Sequence, residues 1–162
     1  MDVSAPPRVQ HRIKVRWPRS VAGFSGLILN RRAVQMLVHN IDGRTLPHFT
    51  PREKCEGCVR KMRQSIKGYL GCFDTASKIP FIAMYTEHTI GGEPRLDIAS
   101  GVDLRGLTLR LKKAGEEQTS SVIGELLGPR ESSLVIPDPV AVRRILEDMW
   151  RLPSGCLGED EG

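Results

Sequence analysis

The sequence is poor in aromatic residues, which make up 5% of its 162 residues, and it has no long apolar run. A membrane-spanning helix needs about 20 consecutive apolar residues, and the N-terminal residues also lack the apolar core of a signal peptide. We therefore expect no membrane partner. No Walker or dinucleotide-binding glycine loop lies between a predicted strand and helix. Because no Ser-His-Asp order or carboxylate pair stands out either, we expect that the protein is not an enzyme.

Cysteine is also scarce, with four in the chain. Small secreted domains that depend on disulfides are dense in cysteine, whereas a few cysteines, two of them close together, are typical of reduced thiols in the cell. The sequence therefore predicts a cytoplasmic protein without a disulfide framework.

Two of the cysteines form the short motif Cys55-Glu-Gly-Cys58, and two histidines precede it within twenty residues. The C-x2-C spacing lets two thiolates bind one tetrahedral ion. Asp42-Gly43 is a strong signal for a two-residue hairpin turn. With that turn, His39 pairs with Leu46 and Leu37 with His48, so both histidines project from one face as diagonal neighbours, about 7 Å apart at their β-carbons.

The spacing predicts a structural zinc site formed by His39, His48, Cys55 and Cys58. Four protein ligands leave no open position for a substrate water, which favours a structural over a catalytic ion. A redox pair is an alternative for the two cysteines, but a thioredoxin-like motif opens a helix after a buried strand, and here a Pro-Arg-Glu-Lys loop precedes it. Cys72, fourteen residues after Cys58, could replace His39 as a ligand.

Alternating and helical patterns indicate a mostly β protein with minor α. Strands are predicted at 10–16, 31–39, 69–73, 79–88 and 104–112, the last paired with 120–127, and residues 21–29 fit a loop or bulged strand. The helical spacing of Val59, Met62 and Ile66 predicts a short basic helix that Gly68 closes. Asp138 as N-cap and Pro139 at the first position predict a helix over 139–150.

Short strands at even spacing favour a small antiparallel OB-like barrel, with an SH3-like barrel or a β-sandwich as alternatives. The expected organisation is a disordered arm at 1–9 and a barrel domain at 10–136 that contains a zinc knuckle at 39–67. A C-terminal helix at 137–151 and an acidic tail at 152–162 complete it.

The net charge of +5 is distributed unevenly. Residues 1–70 carry 14 Lys and Arg against 4 Asp and Glu, whereas residues 71–162 carry 10 against 15. Such asymmetry is typical of a protein with one face for a polyanion. The candidate phosphate contacts are Arg12, Lys14, Arg16, Arg31, Arg32, Arg44, Arg60, Lys61, Arg63 and Lys67. The candidate platforms for base stacking are Trp17, Phe49, Tyr69 and Phe73, of which Tyr69 and Phe49 are favoured.

A basic strand, a hairpin, the Cys55–Cys58 knuckle and the Gly68-Tyr69-Leu70 strand together resemble the zinc-containing OB-fold proteins that bind single-stranded nucleic acid in phage and mobile-element replication. Leu104-Arg105-Gly106, which opens a later strand, is similar to their barrel strands. The resemblance spans residues 10–127 and implies binding of single-stranded DNA or RNA. The alternatives are a docking subunit of a larger nucleic-acid-processing complex and a metal-dependent hydrolase.

Overall fold

A computed structural model of the chain describes residues 13–86, 103–117, 122–128 and 135–160. The predicted arm at 1–9, the candidate contact Arg12 and most of the predicted loop at 89–103 lie outside these residues. No helix among the described residues has the length and apolar character needed to cross a membrane.

The described residues form eight strands in one mixed sheet. The strands are β1 (Val15–Arg16), β2 (Phe24–Ile28), β3 (Val34–Ile41), β4 (Arg44–Pro47), β5 (Gln64–Asp74), β6 (Ile79–Thr86), β7 (Thr108–Lys113) and β8 (Val122–Leu127). A 3-10 turn (Arg52–Lys54) and helix α1 (Glu56–Val59) join β4 to β5, and helix α2 (Val142–Trp150) follows the sheet. The prediction of a mostly β protein with minor α is confirmed.

Strand β5 is the longest and is shared between two partners on one side. Its first half pairs with β3, from Gln64 opposite His39 to Tyr69 opposite Val34, and its end pairs with β2 at Cys72 and Phe73. Strand β6 runs antiparallel along its other side. The sheet order is β1-β6-β5-β2-β7-β8, with the β3–β4 hairpin branching from β5.

The predicted closed OB-like barrel is not found in the described part of the chain, where β1 and β8 remain at opposite ends of the strand order. The sheet is also not purely antiparallel, because β1 pairs with β6 in parallel. Of the predicted strand at 10–16 the structure describes residues 13–16, and within these Val15–Arg16 form a strand. Within the residues at 21–29, predicted as a loop or bulged strand, Phe24–Ile28 form a central strand of the sheet.

Alternation along the strands divides the core between the two faces of the sheet. Ile28 belongs to one cluster, together with Leu70, Cys72, Phe81, Ala83, Tyr85, Leu104, Leu109 and Leu111. Its chain neighbours Leu27 and Leu29 belong to the other, together with Val34, Tyr69, Ile82, Val140, Val142 and Leu146. Helix α2 covers this second face, where Leu146 is fully buried and Ile145 packs against the cluster.

The predicted helix between the knuckle and Gly68 is wrong. Helix α1 ends at Val59, Lys61 takes a left-handed conformation with φ 57°, and Gln64 begins β5. Ile66 then pairs with Leu37 of β3. The helical spacing was a coincidence in a short segment, and pairing with a distant strand outweighs such a weak local preference.

The C-terminal helix begins later than predicted, at Val142. The preceding segment is held by Asn30, whose side chain donates to the carbonyl of Val140 at 2.8 Å and accepts from its amide at 3.0 Å. The helix start is capped by Asp160, which accepts hydrogen bonds from the amides of Arg143 and Arg144 at 2.7 and 3.2 Å. The predicted acidic tail thus folds back against the helix as far as Asp160.

Candidate metal centre and basic cleft

The β3–β4 hairpin has the predicted register, with Ile41 opposite Arg44, Asn40 opposite Thr45 and His39 opposite Leu46. Asp42 and Gly43 both have positive φ, 52° and 79°, which is the geometry of a type I′ turn and matches the twist of the strands. The amide of His48 donates to the carbonyl of Leu37 at 2.9 Å. Both histidines therefore project from the same face of the hairpin.

The side chains of His39, His48, Cys55 and Cys58, which we call the metal group, converge so that their ligand atoms all lie within 4.8 Å of one another. His39 Nε2 lies 3.1 Å from His48 Nδ1. Cys58 Sγ lies 3.6 Å from His39 Nε2 and 3.4 Å from His48 Nδ1. Cys55 Sγ lies 3.6 Å from His48 Nδ1. These four residues are positioned to bind a metal ion.

The distances within the metal group can be tested against a tetrahedral ion. With bonds of about 2.1 Å to nitrogen and about 2.3 Å to sulfur, tetrahedral geometry separates two nitrogens by about 3.4 Å and a nitrogen from a sulfur by about 3.6 Å. The observed nitrogen–nitrogen distance of 3.1 Å and nitrogen–sulfur distances of 3.4 to 3.6 Å fit such an ion with little adjustment.

The surroundings of His39 fix its orientation. Its Nδ1 lies 3.3 Å from the carbonyl oxygen of Arg63, so the Nδ1–H tautomer donates there and leaves Nε2 free as the ligand atom. Gly57 packs directly against the imidazole, and a β-carbon at that position would overlap the ring. Since His39 and Cys55 are buried, the group lies between the hairpin and α1 and joins these two elements.

Cys55 has the environment of a thiolate. Burial opposes its ionisation, but hydrogen bonds from the backbone amides of Phe49 and Cys58 and from the side chains of Cys58 and His48 together outweigh burial and lower the pKa of Cys55 to about 6. Deprotonated sulfur is the form that coordinates metals.

Cys72, the alternative to His39, is not part of the metal group. It is completely buried in the core cluster that contains Leu70 and Phe81, and burial raises its pKa, which stabilises the neutral thiol. All four cysteines of the chain are free of disulfide bonds.

The structure pairs several of the predicted phosphate contacts with acids. Lys14, Arg31, Arg32, Arg44, Arg60, Lys61 and Arg63 are all exposed, and acidic partners are found for some of the set. Arg16 pairs with Asp74 at 3.4 Å, Arg31 with Asp103 at 2.8 Å, and Arg60 with Asp42 and Glu56 at 3.2 and 3.4 Å.

Tyr69, the favoured stacking platform, is 1% exposed. Its ring packs edge-on against Trp150, with 5.8 Å between centroids, so it cannot stack on a base at the surface. That part of the sequence interpretation is wrong, because the alternation of β5 places Tyr69 under α2. Phe49 is exposed, at 38%.

The structure instead brings cations and an aromatic ring together in a cleft of about 620 Å³, which we call the basic cleft. Trp17, Arg19, Lys67, Lys113 and Glu116 contribute its aromatic and charged lining. Lys67 Nζ lies 4.5 Å from the centroid of the Trp17 indole, and burial lowers the pKa of Lys67. Trp17 and Lys67 are candidates from the sequence, but nothing in the sequence joins them, and Arg19 and Lys113 are not among the candidates. Lys67 and Lys113 lie on β5 and β7, far from Trp17 along the chain.

The hairpin also contributes Asn40, Gly43 and Thr45 to the lining of this cleft. Neighbouring residues of a strand point to opposite faces, so Asn40 and its partner Thr45 lie on the face opposite His39 and Leu46. One hairpin thus carries two residues of the metal group on one face and part of the basic cleft on the other.

No protein-family model matches this chain, and comparisons with curated proteins and with solved structures find no match.

Proposed function

We propose that this chain is a zinc-stabilised protein that binds single-stranded DNA or RNA in the basic cleft. The observation that carries the proposal is the stacked pair of Trp17 and Lys67 in a cleft that Arg19 and Lys113 also line. Single strands are bound without sequence preference by cationic grooves that follow the phosphates and by aromatic rings on which bases stack. The cleft has both components, and three cations there face one acid, Glu116, among the described lining residues.

Zinc is the ion that suits the metal group. Two thiolates and two imidazoles in a tetrahedral arrangement are a ligand set of structural zinc sites. Because all four ligands come from the protein, the ion would brace the hairpin against α1 and would offer no position to a substrate water. This supports a structural role and argues against a metal-dependent hydrolase.

The metal part of the proposal is tested by elemental analysis of protein purified under reducing conditions. We expect one zinc per chain and its loss in Cys55→Ser, since serine is a poor zinc ligand. Cys156→Ser is the matched control, because Cys156 is exposed and outside the metal group. Unoxidised wild-type protein without stoichiometric metal would contradict this part.

The binding part is tested with fluorescent single-stranded oligonucleotides at several salt concentrations. Affinity should fall with salt with a log–log slope of about −0.7 per phosphate contact. Arg19→Glu should weaken binding and flatten the slope by about one contact. Lys78→Glu makes the same charge change in the turn between β5 and β6, outside the cleft. It should change neither the affinity nor the salt slope. If the salt slope of Arg19→Glu equals that of the wild type, the phosphates do not bind in the basic cleft.

A second candidate function, a docking subunit of a larger nucleic-acid-processing complex, is favoured by an apolar pair close to the metal group. Leu37 and Ile66 lie opposite each other on β3 and β5 and are 42% and 37% exposed. Val59 at the end of α1 is 62% exposed. If folded, zinc-loaded protein fails to bind oligonucleotides even at roughly 50 mM salt, where electrostatic binding is strong, this second function would replace the first.

A further inference from the structure

A second space, of about 420 Å³, lies beside the basic cleft, and we call it the tryptophan recess. Trp17, Arg19 and Met84 line both spaces, so these three side chains form the boundary between them. Sites for small molecules run from about 300 to 1,000 Å³. The tryptophan recess is therefore large enough for one nucleobase.

The lining of the tryptophan recess combines apolar walls with two cations. Val15, Phe24 and Met84 supply the apolar side chains, and Arg16 and Arg19 supply the positive charges. None of the residues that line the recess is fully buried. A ligand that enters the recess can therefore touch the side chains around it.

The Trp17 indole is covered by Lys67 from the side of the basic cleft. The Lys67 ammonium lies over the ring, 4.5 Å from its centroid, and Lys67 lines the cleft but not the tryptophan recess. The ring face attracts the cation, and a base cannot stack where the ammonium lies. The recess lies against a part of Trp17 that Lys67 leaves open, so a base can reach the ring from there.

The segment between β1 and β2, which forms part of the tryptophan recess, is held in place by local contacts. The carbonyl of Ser20 accepts a hydrogen bond from the amide of Lys113 at 2.9 Å, and the Ser20 hydroxyl accepts one from the amide of Gly23 at 3.2 Å. The Phe24 ring meets the Phe81 ring edge-on, with 5.5 Å between centroids. Walls that are ordered before binding reduce the entropy lost when a ligand binds.

We propose that the tryptophan recess is a nucleobase site, in which one base of the bound strand stacks on Trp17 while the adjacent phosphates bind Lys67 and Lys113 in the basic cleft. This inference rests on the proposed function, because the strand must first lie in the cleft. Arg19 lines both spaces and lies where the base joins the phosphate backbone. Because every base has a face that can stack, the recess adds affinity without selecting a sequence.

The experiment compares two strands of equal length on the zinc-loaded chain, oligo-dT and a strand of abasic residues with the same sugar–phosphate backbone. Both should bind with equal salt slopes, because both present the same phosphates. Oligo-dT should bind about 5- to 150-fold more tightly, the range for one base stacked on an aromatic side chain. Oligo-dT should also quench tryptophan fluorescence, and the abasic strand should not.

Two variants remove the stacked base in different ways. Trp17→Leu removes the ring, and Ser20→Leu fills the tryptophan recess from an exposed position outside the basic cleft. In both variants the ratio of the oligo-dT affinity to the abasic-strand affinity should fall toward one, and in Trp17→Leu the quenching should disappear. Ser154→Leu makes the same change at an exposed position that lines neither space, and it should keep the wild-type ratio.

The outcomes distinguish this inference from the proposed function. If the wild type binds both strands equally tightly, the nucleobase site is disproved and the basic cleft stands. If oligo-dT binds more tightly but does not quench the fluorescence, or if Ser20→Leu keeps the wild-type ratio, the base lies elsewhere and the nucleobase site is likewise disproved. If the wild type binds neither strand, the proposed function fails and the nucleobase site fails with it. Should both variants misfold, the affinity ratio and the quenching of the wild type still decide.

Discussion

Gly57 lets α1 approach the imidazole of His39, one of the four residues of the metal group. The ring of His39 is trapped between this glycine and the carbonyl of Arg63, which together hold Nε2 toward the two sulfurs. The glycine of the C-x2-C motif therefore serves close packing against a ligand. Its φ is not in the left-handed region, so conformational freedom is not what is required.

We predict that Gly57→Ala lowers the zinc affinity by about 10–100-fold, the range seen when contacts that orient a ligand are removed. The added methyl group would overlap the imidazole of His39 and turn Nε2 away from the ion. Competition with a chromophoric chelator measures the change. Glu56→Ala, at the exposed neighbouring position, is the control and should bind zinc like the wild type, whereas wild-type affinity in Gly57→Ala would show that the ring has room to move.

The metal group could be predicted from the sequence because its signals are local. A C-x2-C spacing and an Asp-Gly turn fix the geometry of residues 39–58 within one short segment. The basic cleft could not be predicted, since Trp17, Lys67 and Lys113 come together only when β1, β5 and β7 take their places in the sheet. The burial of Tyr69 could not be predicted for the same reason, because the position of α2 decides which face of β5 is covered.

Helix α2 depends on the residues that follow it. Besides the cap by Asp160, Glu147 accepts hydrogen bonds from the amides of Gly155 and Leu157 at 3.0 and 2.8 Å. These bonds from Gly155 and Leu157 lower the pKa of Glu147, with a smaller contribution from Arg144. Two carboxylates thus fasten the C-terminal segment to the helix that covers one face of the sheet.

At the scale of this element, we predict that Glu147→Gln destabilises the protein at pH 7 and much less at pH 3. A carboxylate with a lowered folded-state pKa stabilises the fold above its ordinary pKa of about 4.3, and this stabilisation disappears as the pH falls through the folded-state value. Urea denaturation midpoints at both pH values measure the effect, with zinc removed from all samples. Asp148→Asn, at an exposed neighbouring position, should show no such pH dependence. If Glu147→Gln lost the same stability at both pH values, the stabilising role of the Glu147 carboxylate would be contradicted.

The start of α2 also shows a limit of local sequence signals. Asp138 and Pro139 form a strong helix-start pair, yet the helix begins three residues later because Asn30 binds the backbone of Val140. Similarly, residues between Val59 and Ile66 have helical spacing, yet Ile66 belongs to β5 and pairs with β3. In both places a contact from a distant part of the chain decided the local structure, whereas the amphipathic stripe around Leu146 was long enough to be predicted.

On the scale of the whole molecule, the β3–β4 hairpin connects the metal group to the basic cleft. We predict that chelation of zinc speeds amide hydrogen exchange in residues 39–67 while β7 stays protected, since metal binding stabilises the segment that supplies the ligands. The same treatment should weaken oligonucleotide binding, because Asn40 and Thr45 line the cleft. Added zinc should restore both. Uniform exchange across the sheet would show that the ion supports the entire fold.

The short span of the metal group has a consequence for the order in which the chain assembles. Its ligands lie within twenty residues, whereas β1 must find β6 and β2 must find β7 across long stretches of chain. Contacts between distant residues close slowly because of the entropy of the intervening loop. During synthesis, residues 39–58 also leave the ribosome well before β7 does. The hairpin and α1 could therefore acquire the proposed ion as a nascent chain, before the rest of the sheet assembles on them.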